Sequence, residues 1–150
     1  MPKNLSKFIL SIGLCLGAGI IGSFFTVSSI PEWYSTLNKP GFSPPNWIFA
    51  PVWTSLYILM GISLYLVWVK HKVPFVFWIQ LILNAVWSII FFGMRNPTLA
   101  LVNIAALWIA IILTIKAFYK INKISAYLLY PYLAWVSFAT ILNLEIVLLN

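Results

Sequence analysis

The groups that ordinarily do catalysis are scarce in this chain, and the groups that bind flat apolar molecules are abundant. There is no aspartate, and the two carboxylates, Glu32 and Glu145, are far apart in sequence. A Ser/His/Asp set therefore cannot be assembled, and no pair of carboxylates stands ready for acid/base work. His71, the one histidine, lies between Lys70 and Lys72. It can be read as a haem ligand or an acid/base group, or more simply as a solvated residue that the adjacent cations keep at the headgroups. Cys15 is alone inside an apolar run, so no intrachain disulfide is possible, and no metal-ligand spacing is present. Against this stand eight tryptophans and a set of amides within apolar runs.

The tryptophans fall into two groups. Trp33, Trp47, Trp68 and Trp78 lie near predicted helix ends, where an interfacial aromatic belt accounts for them. Trp53, Trp87, Trp108 and Trp135 lie deeper. Ala50, Trp53 and Tyr57 share a helical face, as do Gln80, Asn84, Trp87 and Phe91. From Trp135, the face continues through Ala139, Leu142 and Asn143 at i+4, i+7 and i+8. These three faces point to the same half of a bilayer. Gln80, Asn84, Asn103 and Asn143 should turn inward, because an amide facing lipid is costly. They serve either as interhelical hydrogen bonds or as ligand contacts. An aromatic cavity with a few amides suits a flat hydrophobic ligand, since ring pairs add about 0.5–1.5 kcal/mol beyond burial. Lys39 can meet an anionic edge of such a ligand or a headgroup phosphate.

The elements that must position these faces are membrane helices. Of the 150 residues, 63% are apolar and only 7% charged, whereas a soluble domain is roughly 25% charged. A soluble fold and intrinsic disorder are both excluded. A span needs about 20 apolar residues, and five segments qualify: 8–30, 46–69, 75–94, 98–118 and 125–148. The expected fold is thus an all-α, single-domain bundle of five transmembrane helices over residues 1–150. The first segment is too long for a signal-peptide core and reads as a retained helix. Pro44-Pro45, Pro74 and Pro97 mark helix starts. Pro51 and Pro131 lie inside the second and fifth helices and should kink them, freeing the carbonyls of Trp47 and Tyr127. Residues 31–45 form the one substantial loop and should cap the pocket.

The nine cations are scattered between apolar runs, which argues for topology determinants and against a nucleic-acid partner. Lys3, Lys7, Lys70, Lys72, Lys116, Lys120 and Lys123 fall at one end; Lys39 and Arg95 fall at the other. In a bacterial cell membrane, the positive-inside rule then puts the N-terminus in the cytoplasm and the long loop outside. Gly13 and Gly17 form a GxxxG pair that serves packing within the chain or between copies.

Several blocks of residues resemble one family. Trp33-Tyr34, Leu37, Lys39-Pro40, Pro44-Pro45, Trp47 and the run from Ala50 to Tyr57 (APVWTSLY) look like the signature of the TspO/MBR family. The likeness continues through Asn84, Trp87, Phe91-Phe92-Gly93, the run Pro131-Tyr132-Leu133-Ala134-Trp135, Phe138-Ala139-Thr140 and Leu142-Asn143. The resemblance implies a five-helix bundle, often a homodimer, with a pocket closed by the first loop. It further implies binding of porphyrins, protoporphyrin IX above all, and of isoquinoline carboxamide and benzodiazepine ligands. Carried over by position, its pocket falls on Ala50, Trp53, Trp87, Trp135, Ala139 and Leu142. Three departures stand out. The chain lacks the Tyr and Lys/Arg of the sterol motif after Leu142-Asn143, has Asn46 where many relatives carry Arg, and has Leu99 where some carry Trp.

The resulting expectation is a multi-pass membrane protein with an aromatic ligand site at Ala50, Trp53, Tyr57, Asn84, Trp87, Phe91, Trp135, Ala139, Leu142 and Asn143. Trp33, Lys39 and Trp47 belong to its lid. No cofactor or metal is expected. Porphyrin is ligand or substrate, membrane lipid the surroundings, and light with oxygen the drivers of porphyrin breakdown, in which Trp53 and Trp135 hold the ring. The alternatives are a non-catalytic porphyrin or lipid sensor and, last, a transporter, which usually shows intramembrane ionisable pairs and inverted repeats.

Overall fold

The computed structural model describes residues 2–150, with side chains from Asn4 onward. Helix α1 spans Pro2–Glu32 and is followed by a single 3-10 turn at Tyr34–Thr36. Helices α2 (Asn46–Trp68) and α3 (Phe75–Ser88) come next, and α3 continues as a π-helical turn over Ile89–Gly93. Then follow α4 (Pro97–Tyr119), α5 (Lys123–Leu128) and α6 (Tyr130–Leu149), the last two in one line of chain. Five spans are long and apolar enough to cross a bilayer, with α5 and α6 together making the fifth. Helices meet this need because a backbone in hydrocarbon must satisfy its own hydrogen bonds. The chain is an integral, multi-pass, all-α membrane protein.

The starts of the middle helices follow their prolines. Pro45 and Pro74 immediately precede α2 and α3, and Pro97 opens α4 beneath an Asn96 cap whose side chain accepts from the Leu99 amide. Two expectations need correction. Helix α1 runs past residue 30 to Glu32, so the connecting segment is shorter than 31–45 and begins with an ordered turn. The fifth span is broken at Leu129, where a continuous kinked helix over 125–148 was expected. Pro131 has no N–H to give Tyr127, and the Leu129 amide tightens onto Ala126 instead. The Ser125 carbonyl is taken up by the Ser63 hydroxyl at 2.8 Å, which ties α5 to α2. Pro51 acts differently: α2 runs through it unbroken.

One apolar cluster fills the bundle from its centre to the basic end, with Met60, Leu64, Val67, Phe77, Ile111, Phe118 and Val136 essentially inaccessible. A smaller cluster around Tyr34, Phe91, Phe92, Ala100, Leu142 and Ile146 seals the loop end. Lys70, His71 and Lys120 line a shallow recess at the basic end. Lys7 reaches there too, donating to the Trp68 carbonyl at 3.4 Å over the Trp68 ring. The side chain of Lys3 lies outside the described residues. At the opposite end, Arg95 donates to Glu32 at 3.1 Å, the ion pair found among the described residues. Both partners are solvent-exposed, so the bridge contributes little to stability.

Candidate functional site

Between the two clusters lies a cavity of about 320 Å³ lined from α1, Tyr34, α2, the end of α3, the π turn and α6. The ring of Trp53 stacks on Tyr57 one helical turn below it (centroids 5.6 Å, 27°) and meets Trp135 of α6 edge to face (6.4 Å, 87°). Across the cavity, Trp87 stacks on Phe91 at 5.0 Å. Phe49 closes the loop side against both Trp135 (6.2 Å) and Tyr34 (6.3 Å). The wall is therefore a continuous set of ring contacts with the geometries aromatic pairs prefer.

The π turn explains part of this wall. A five-residue hydrogen bond from the Met94 amide to the Ile89 carbonyl inserts extra chain and lets adjacent Phe91 and Phe92 both face inward. The turn ends on Arg95, whose φ of 52° is unusual for a residue other than glycine.

Beneath the wall runs a one-way line of buried polar groups. Tyr57 donates to the Asn84 carbonyl oxygen. The Asn84 amide donates to Tyr132 Oη at 2.8 Å, Tyr132 to Gln80 Oε1 at 2.8 Å, and the Gln80 amide to Met60 Sδ at 3.6 Å. Asn143 forms a second polar node: it accepts from Trp87 Nε1 at 3.0 Å and donates to the Pro97 carbonyl at 2.9 Å. Asn103 turns inward to the Leu83 carbonyl at 3.0 Å. Two cavity-lining residues, Trp135 and Tyr34, carry a polar atom (Nε1 and Oη) that is buried with no partner among the described residues. An indole N–H can only donate, and an unmet buried donor costs about 1–3 kcal/mol. A ligand acceptor that reached either atom would be held. Burial also pushes the Tyr34 phenol up, to about 12, which keeps it a donor at physiological pH.

Of the residues singled out from sequence, the structure brings Ala50, Trp53, Tyr57, Trp87, Phe91, Trp135, Ala139, Leu142 and Asn143 to the cavity. Asn84 lies behind the wall, one hydrogen bond from Tyr57. Among the lid residues, Trp33 packs edge-on against Phe91 at 5.5 Å, outside the lining. Lys39 is spent on its own loop: Nζ donates to the carbonyls of Tyr34 (2.9 Å) and Leu37 (3.3 Å) and sits 4.8 Å over the Tyr34 ring. Trp47 is 72% exposed and stands outside the cavity lining. Trp108 lies mid-span in α4 as expected, on the outer face, with Nε1 donating to Ser137 Oγ at 2.8 Å. His71 Nδ1 pairs with the Lys72 carbonyl at 2.7 Å in an exposed turn. No cluster of three or more metal-type ligands occurs among the described residues.

Sequence reasoning missed Tyr34, Phe49 and the α1 wall of Gly19, Gly22 and Ile30. Tyr34 had a signal, being adjacent to Trp33 in the signature block. The α1 wall had none, because small residues in an apolar helix look alike on every face.

Comparison with known proteins agrees with this architecture. The chain is 49% identical to the tryptophan-rich protein TspO of Archaeoglobus fulgidus over 152 residues, covering 98% of this chain and 99% of the relative. It is 48% identical to the protein of the same name in Chlorobaculum tepidum over 157 residues, 100% and 99% of the two chains. The translocator protein of Homo sapiens is 42% identical over 131 residues, 82% of this chain and 78% of that one. The sequence pattern of the TspO/MBR family matches residues 11–149, and with five apolar spans and an aromatic cavity among the described residues the chain belongs to that family.

Proposed function

We propose that this protein binds a flat, largely apolar ligand of the porphyrin class, protoporphyrin IX foremost, and carries out its light- and oxygen-dependent breakdown. The observation that carries the reading is the meeting of Trp53 and Trp135 at 6.4 Å in the wall of a cavity whose lining residues Trp135 and Tyr34 carry a buried Nε1 and Oη with no partner among the described residues. Two indoles at right angles grip a ring by face and edge, and the two polar atoms give its oxygen substituents a place to bond. Isoquinoline carboxamides and benzodiazepines share this chemistry, a fused ring with a carbonyl. In the breakdown reaction, the illuminated porphyrin supplies the reactivity toward oxygen, while Trp53 and Trp135 hold the ring and quench or reduce reactive oxygen beside it. Illumination of the purified protein with protoporphyrin IX tests this. Spectral decay should differ from that with an unrelated detergent-solubilised protein, and Trp53→Phe and Trp135→Phe should alter it. Identical decay in all four samples would discard the chemistry.

A sensory reading without chemistry is favoured by a separate observation. Asn38 in the loop and Asn150 after α6 are joined by two direct hydrogen bonds of 3.1 and 2.8 Å, so occupancy beneath the loop can be felt at the surface. Quenching of tryptophan fluorescence with no product would decide for this reading. The N-terminus is assigned to the cytoplasm of a bacterial cell on the charge asymmetry. Homodimer formation is supported by Gly13 and Gly17, where an added Cβ would meet nothing within 4 Å of the same chain.

A further inference from the structure

The cavity is open on one side, and the position of that opening follows from how α1 and α2 diverge. Toward the basic end they touch: a Cβ on Gly61 would lie 2.8 Å from the Ile12 Cα, and one on Gly19 would lie 2.5 Å from the Tyr57 ring. Toward the loop end, cavity-lining residues of the same two helices stand exposed, namely Ile20, Ser23 and Val27 on α1 and Asn46, Ala50 and Thr54 on α2. Their spacings put each trio on one helical face. Every lining residue from α3, the π turn and α6 is buried or half-buried instead. The loop adds only Tyr34 to the lining, and Tyr34 is 2% exposed. The cavity is shut toward the loop and open between α1 and α2.

Depth and chemistry say what this slot faces. Thr54 lies eight residues into α2 from Asn46, about 12 Å at the helical rise, so the slot reaches from headgroup level into hydrocarbon. Its hydroxyls are turned back on their own helices: Ser23 donates to Ile20, Thr26 to Gly22 and Thr54 to Ala50. The rim therefore presents an acyl chain with little that needs water. The inner wall differs, since Trp135 and Tyr34 hold a buried Nε1 and Oη with no partner among the described residues.

We infer that the cavity loads sideways, through the slot between α1 and α2, from molecules already dissolved in the leaflet on the loop side. The ligand class is a flat amphiphile that partitions into the bilayer and carries a hydrogen-bond acceptor to the inner wall. This inference rests on the ligand-binding reading above. The Asn38–Asn150 clasp can then stay closed throughout loading.

The test uses the whole protein in liposomes, with protoporphyrin IX as probe and stopped-flow quenching of tryptophan fluorescence as readout. At fixed total ligand and protein, added lipid dilutes the membrane-dissolved probe, and the association rate should fall in proportion to its mole fraction in the bilayer. Ser23→Phe and Thr54→Phe place rings in the rim, and each should slow association and dissociation about tenfold, well beyond any change in their ratio. Asn150→Ala, which frees the loop, should leave the rate within about twofold. Lipid-independent rates, rim variants as fast as wild type, or a large acceleration by Asn150→Ala would each overturn the sideways route while equilibrium quenching persists. Absence of quenching in the wild type at every probe concentration would overturn the binding reading and the route with it. The lipid-dilution arm needs no variant, so misfolding of a rim variant does not blunt the test.

Discussion

Gly61 of α2 lies against the backbone of Ile12 in α1, so close that a Cβ would come within 2.8 Å of the Ile12 Cα. Backbone cannot yield as a side chain can, and forcing extra volume into a tight contact costs about 1–3 kcal/mol. Gly61→Ala should therefore lower the melting temperature in detergent and widen the gap between α1 and α2. Gly19→Ala meets only the ring of Tyr57 and should cost less. Gly13→Ala and Gly17→Ala, with open space at both positions, should leave monomer stability unchanged. Thermal unfolding followed by circular dichroism checks the ranking.

Tyr132 holds the middle of the buried polar line, accepting from Asn84 and donating to Gln80. Tyr132→Phe removes both bonds and leaves two amides short of a partner. Hydrogen bonds inside membrane proteins average about 0.6 kcal/mol and reach about 1.7, so a loss on the order of 1–3 kcal/mol is expected. Asn84→Leu should cost as much, because Tyr57 loses its acceptor as Tyr132 loses its donor. The double variant should cost clearly less than the sum, which a double-mutant cycle measures.

Trp135 lines the cavity, and its buried Nε1 has no partner among the described residues. Trp135→Phe should weaken a carbonyl-bearing isoquinoline carboxamide by about tenfold, the effect of one neutral hydrogen bond. The same ligand reduced at its carbonyl should bind both proteins alike. Equilibrium titration of the remaining tryptophan fluorescence reads this.

The Tyr34 phenol, with its proton affinity raised to about 12 by burial, ties loop packing to alkaline pH. A phenol in an opened loop loses its proton near pH ~10, whereas the packed one holds it. The contribution is fully present below about pH 10 and is lost as pH rises toward the higher value. Tyr34→Phe should remove one group from the late phase of the tyrosinate titration.

The Asn38 amide is protected by the Asn150 side chain at 3.1 Å. Asn150→Ala should speed hydrogen exchange at Asn38 and its loop neighbours without affecting α2 or α3. Amide exchange read by mass spectrometry distinguishes this local opening from global loosening.

Apolar content and proline positions were enough to establish five membrane spans from sequence. Lipid imposes a helix of fixed length on any such segment, so composition decides the element before packing does. Helical spacing likewise identified the inward faces of Trp87 and Trp135, because the amides of Asn84 and Asn143 on the same stripes cannot economically face acyl chains.

Tertiary structure decided the remainder. The break at Leu129 needed Ser63 on another helix to take the freed carbonyl. The π turn at Ile89–Gly93, which aims Phe91 and Phe92 together, has no counterpart in residue type. The side opening exists because α1 and α2 touch at Gly61 and Gly19 and then part. Which glycine meets a neighbour and which meets nothing depends on crossing geometry between helices, and a one-dimensional pattern of small residues carries no information about the partner across the gap.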